Sequence, residues 1–167
     1  MPLHAFGDEP RLKISGIAIC LASILEAARS KEGAYRVYED AFLQLINAPS
    51  KRPSLSLSME SLEVLTVAEG IRAVSIACKL GELAHELKKP VADEEKWLVW
   101  SVDALLKIII KEGLRTDSNN KNGTRDVTKS VQSTLDELSL PSWAMLHNFA
   151  APFEALGSFY ARRGKIE

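Results

Sequence analysis

Residues 97–110 read WLVWSVDALLKIII. As a helix, this stretch points apolar side chains to nearly every side, and such a helix is stable only when neighbours enclose it. The chain must therefore supply other helices around it. Its remaining long segments place apolar residues at intervals of three and four, and no alternating runs joined by tight Asn-Gly turns interrupt them. The expected fold class is all-α, built from antiparallel helical hairpins.

Start and stop signals divide the chain. Asp8 is placed to cap a first helix, with Pro10 tolerated in its first turn. That helix carries Leu12, Ile17, Leu21, Ile24 and Leu25 to about Arg29. In the next helix Tyr35, Tyr38, Phe42 and Leu45 share one face, and it ends before Pro49. Residues 49–58, PSKRPSLSLS, form a connector. A helical region follows over about 59–87. Gly70 is a point where it kinks or splits, and Lys88-Lys89-Pro90 stops it. Asp93 is expected to cap the helix that buries Trp97 and Trp100. Residues 113–125 begin GLRTDSNNKNGT and read as a polar loop. A weak helix over 126–138 and an irregular apolar stretch over 141–149 come next. Pro152 then opens a last helix over 153–163, which Gly164 breaks.

Three of these helices share a local pattern. They read AICLASILE from Ala18, ACKLGELAH from Ala77 and FEALGSFYA from Phe153. Each sets leucine before a small residue: Leu21-Ala22, Leu80-Gly81 and Leu156-Gly157. A small residue lets a second helix approach closely. Ala34 and Ala41 face back from the partner helix of the first unit, and Ala104 from that of the second. Leu25, Ala84 and Tyr160 continue the apolar side. Leucine in place of Gly81 would overpack the crossing.

This pattern resembles the tetratricopeptide repeat, with its Leu-Gly, Tyr, Ala and Ala-Phe spacing. The resemblance covers hairpin 1 (about 8–48), hairpin 2 (about 59–112) and an incomplete third repeat (about 150–167), all within one domain over 1–167. The copies lie further apart than the family's period of about 34 residues, so the expected superhelix is irregular. The third copy lacks its partner helix, as a fragment of a longer repeat protein would. The segments RAVSIACKLGEL, EEKWLVWSV and APFEALGSFYARRGKIE are similar to fungal tetratricopeptide proteins related to the adaptor subunits of the mitochondrial i-AAA protease. That resemblance implies an intracellular, mitochondrial scaffold. The family carries a transmembrane anchor ahead of its repeats, and no such segment is read here.

The resemblance also implies that the first helix of each hairpin lines a concave groove. Its candidate binding residues are Ile19, Ser23 and Glu26 in the first unit. They are Ser75, Cys78, Glu82 and His85 in the second, with Lys79 at the margin, and Glu154, Ser158 and Arg162 in the third. Ile19, Ser23, Lys79, Ala151 and Ala155 stand where chaperone-tail clamps hold cationic and amide side chains. A carboxylate-gripping cradle is therefore not expected. The mixture suits a partly apolar or basic peptide.

The formal net charge of −1 over 167 residues gives no basic field for nucleic acid. Residues 14–25, ISGIAICLASIL, are too short to span a bilayer, which needs about 20 apolar residues. Cys20 and Cys78 read as two reduced, buried thiols. Glu82 and His85 make one Glu-x-x-His pair, whereas a di-iron bundle uses two such motifs and two further carboxylates. No nucleophile with a base and no phosphate-cradling loop is legible, so catalysis, metal and cofactor are not expected. The expected function is protein or peptide binding by a non-enzymatic scaffold or adaptor. The alternatives are a module that homo-oligomerises through its uncovered third repeat, or a helical-bundle enzyme or metal protein.

Overall fold

The computed structural model describes residues 10–46, 65–119 and 142–164. They form helices α1 (Pro10–Ala27), α2 (Lys31–Leu45), α3 (Val67–Glu86), α4 (Val91–Asn119) and α5 (Ser142–Arg162). The described chain is all-α, with no strand. No described helix is long and apolar enough to cross a membrane.

Helix α3 begins where its first turn is capped. The Thr66 hydroxyl accepts the Glu69 N–H at 3.2 Å, and the Glu69 carboxylate accepts the Thr66 N–H at 3.0 Å. This reciprocal box satisfies two backbone donors. Val67 is therefore the first residue of α3; residues 59–64, where the helical region was expected to begin, lie outside the described residues. Gly70 neither kinks nor splits α3. It sits in the first turn, where a Cβ would come within 2.8 Å of Ile108 Cδ1. The glycine serves close approach of α4.

Three other boundaries differ from expectation. Asp93 is the third residue of α4 rather than its cap, and its N–H donates to the Pro90 carbonyl at 2.9 Å. Helix α4 runs to Asn119, so residues 113–119 are helix instead of loop. A lone glycine costs a helix only about 1 kcal/mol, and a polar sequence alone does not separate a helical turn from a loop. Residues 120–125 of that loop and the expected helix at 126–138 lie outside the described residues, as does the expected cap at Asp8. Helix α5 starts at Ser142, which makes residues 142–149 helical and puts Pro152 inside the helix. Proline removes one helical hydrogen bond there. Pro152 is almost fully buried, so its ring is held by packing.

The odd-numbered helices end alike. Arg29, Lys88 and Gly164 adopt left-handed φ values of 60°, 54° and 63°. After α1 the Arg29 N–H donates to Glu26 O and the Ser30 N–H to Leu25 O. After α3 the Lys88 N–H donates to His85 O and the Lys89 N–H to Ala84 O. These pairs are the same Schellman closure. After α5 the Gly164 N–H donates to Ala161 O, the corresponding inner bond. Arg29, Lys88 and Gly164 follow Ala22, Gly81 and Gly157 by seven residues in each case.

Helix α3 is the hub and packs on all four other helices. Its Ala73, Ala77, Leu80 and Ala84 are fully enclosed. Phe42 of α2 meets the rings of Trp97 and Trp100 edge-on, with centroids 5.1 and 4.7 Å away. The Trp97 indole N–H donates to Tyr35 Oη at 3.0 Å. The Arg72 guanidinium donates to the Leu12 carbonyl and to Ser15 Oγ, tying α3 to α1.

Of the small-residue positions, Ala22, Ala34, Ala41, Gly81 and Ala104 are buried, and so is Leu80. Leu21 is instead 48% exposed. The neighbours of α1 lie on the side of Leu12, Ser15 and Ala22, away from it. Gly157 is also exposed, with nothing within 4 Å of where a Cβ would stand. No helix of the described chain packs against it, so it makes no close crossing there. Leu156 and Tyr160 are half-buried. Cys20 is exposed rather than buried. It lies on the side of α1 that no described helix covers.

Candidate functional site

The first and third helices are joined by a chain of charge. Glu26 of α1 accepts the Tyr38 hydroxyl at 3.0 Å through one oxygen. Its other oxygen lies 3.2 Å from Lys79 Nζ on α3. Lys79 Nζ also lies 3.1 Å from Glu82, one turn further along. Burial alone would lower the Lys79 ammonium. The two carboxylates outweigh it and raise the group above its ordinary value.

Beyond Glu82, α3, α4 and α5 line a cleft of about 320 Å³. Gly81, Leu98 and Ala155 form its apolar part. Glu82, His85 and Glu86 border it from α3, Glu94 from α4, and Ser158 and Arg162 from α5. The first turn of α4 carries Glu94 inward because Glu94, Trp97, Leu98, Ser101 and Leu105 share one buried face. Its side chain is 8% exposed. One oxygen lies 2.6 Å from Arg162 Nη2 and the other 3.4 Å from His85 Nδ1. A buried carboxylate requires such partners. Glu86 is paired outside the cleft with Lys31 at 3.1 Å. Tyr160 of α5 donates to Glu95 of α4 at 2.9 Å.

The structure thus gathers Glu82, His85, Ser158 and Arg162 in one cleft, with Lys79 and Glu26 beside it. Ser23, Ser75 and Glu154 are exposed but do not line it. The Ser23 and Ser75 hydroxyls donate back to the carbonyls of Ile19 and Ile71. Cys78 faces the interior and is 8% exposed, so it leaves the groove set. Burial pushes its thiol up to about 11. Glu86 and Glu94 are not among the groove residues expected from the sequence, although both line the cleft. The apolar spacing of Trp97, Leu98 and Leu105 behind Glu94 is the signal that places it on an inner face.

Glu82 and His85 do not act as a pair: His85 turns to Glu94 and Glu82 to Lys79. Among the described residues no group of three or more His, Cys, Asp or Glu side chains is placed to hold a metal ion. Comparison of the chain with protein-family models, curated proteins and solved structures finds no match.

Proposed function

We propose that this chain is a tetratricopeptide-like scaffold that binds a protein or peptide along the side formed by α1, α3 and α5, and that it is not an enzyme. The carrying observation is the threefold recurrence along the odd-numbered helices. In each, a small residue precedes a left-handed closing residue by seven positions, at Ala22 and Arg29, Gly81 and Lys88, and Gly157 and Gly164. Repetition of one helical unit is how such scaffolds build a continuous binding side. Helix α3 packs on α1 and α5 as well as on α2 and α4, the neighbour relations a stack of hairpins requires. Glu26, Lys79, Glu82, His85 and Ser158 lie on these three helices. The resemblance to fungal tetratricopeptide proteins related to adaptors of a mitochondrial protease supports a partner in mitochondria.

An affinity capture from cell extract, wild type beside Glu82→Lys/His85→Ala, tests the reading. Retention of one protein by the wild type and its loss from the variant supports it. Equal retention by both removes the groove from the function.

A second reading, self-association, is favoured by one observation. Ile17, Leu21 and Ile24 on α1 are 60, 48 and 65% exposed, and Phe153 on α5 is 46% exposed. Sedimentation over a range of concentrations distinguishes it, since a monomer throughout excludes it.

A further inference from the structure

We infer that the α3–α5 cleft receives a lysine or arginine side chain of the protein partner, an inference that rests on the scaffold reading above. Its size is the first argument. At about 320 Å³ it stands at the lower limit of small-molecule pockets, and it suits a single long side chain better than a whole ligand. Its chemistry is the second. The lining carries three carboxylates, on Glu82, Glu86 and Glu94, against one permanent cation, Arg162. That cation is already engaged by Glu94 at 2.6 Å. Between the charges lies the apolar surface of Gly81, Leu98 and Ala155. A lysine or arginine has the matching division, an aliphatic stem that lies on apolar surface and a cationic head that seeks carboxylate oxygen.

Accessibility is the third argument. The Glu82 and Glu86 side chains are 56% and 46% exposed, and their partners Lys79 and Lys31 reach them from outside the cleft lining. Exposed pairs of this kind are weak and share readily with a second cation. Glu94 differs: its side chain is 8% exposed and joins α4 to α5 through Arg162. Glu94 thus fixes the cleft wall, while Glu82 and Glu86 receive the incoming charge.

The test is a selection of random displayed peptides on the whole chain, followed by affinity measurements on the enriched sequences. Lysine or arginine beside an aliphatic residue is the expected consensus. Binding should weaken about tenfold in Glu82→Gln/Glu86→Gln, and should fall as NaCl rises from about 0.05 to about 0.5 M. Ser158→Arg supplies an arginine from α5 itself and should block the same peptides, which keeps the test decisive if the double variant is poorly folded. Enriched peptides without a basic residue, or basic peptides indifferent to both variants, overturn the inference and leave the scaffold reading standing. Failure to enrich any peptide overturns both.

Discussion

Leu98 of α4 occupies the space that a side chain on Gly81 would need: a Cβ there would lie 2.6 Å from Leu98 Cδ2 and 2.8 Å from Cγ. Gly157 holds the same place in the third copy of the pattern and meets nothing within 4 Å. Gly81→Leu is therefore expected to cost about 1–3 kcal/mol through overpacking. Gly157→Leu should cost nothing and gain up to about 1 kcal/mol of helix propensity. Thermal melts of the two variants give the comparison. Equal losses would mean that a helix covers Gly157 in solution.

The Tyr35–Trp97 hydrogen bond is the polar contact inside the aromatic cluster. Tyr35→Phe leaves a buried indole N–H unpaired, with an expected loss of about 1–3 kcal/mol. Trp97→Ala empties the cluster and should cost about 3–5 kcal/mol. Chemical denaturation resolves the two, and a Tyr35→Phe variant as stable as wild type would show that the N–H finds another acceptor.

Burial raises the Tyr35 and Tyr38 phenols above their ordinary value. The folded chain then holds these protons more tightly than the unfolded chain. Their contribution to stability is complete below the unfolded value of about 10 and is lost as pH climbs through the folded values. Denaturation midpoints should fall above about pH 10, and less steeply in Tyr35→Phe/Tyr38→Phe. An unchanged slope would remove the two phenols as the cause.

The thiols should separate cleanly. Cys20 is exposed, whereas Cys78 is buried with its thiol pushed up to about 11. The thiolate is the reactive form. A thiol reagent at neutral pH should label Cys20 in the native chain and reach Cys78 only after unfolding, as mass mapping of the labelled peptides would report.

Arg29 and Lys88 carry side chains in a backbone region that disfavours them. Arg29→Gly and Lys88→Gly should each stabilise by about 1 kcal/mol, measurable as raised urea midpoints. A loss in either would mean that its side chain contributes more than the strain it imposes.

Helix content was legible because burial follows a period that the sequence displays, as in Trp97, Trp100, Ala104 and Ile108. The helix ends were legible as well, at about Arg29, at Lys88-Lys89-Pro90 and at Gly164; the left-handed conformation of Arg29 and Lys88 was not, because neither is glycine. Proline misled in α5, because Pro152 is read as a helix start while packing holds it in the interior. The cleft was half legible. Glu82, His85, Ser158 and Arg162 follow from the repeat pattern. The inner face of Glu94 is marked by Trp97, Leu98 and Leu105, but its place in the cleft comes from the approach of α5 to α4, a tertiary relation that local spacing does not express. Cys78 is buried, as a thiol on that apolar run was expected to be; only its place in the groove set fails, because one helical step separates the groove side of α3 from its buried side.

Between Lys13 and Glu26 helix α1 has no ionisable side chain apart from Cys20, and Ile17, Leu21 and Ile24 lie open along it. Sodium chloride screens charges and finds none on that strip. Sulfate acts instead by exclusion from the protein surface, which strengthens the association of apolar faces. Any association through that strip is then governed by the lyotropic character of the salt rather than by its ionic strength.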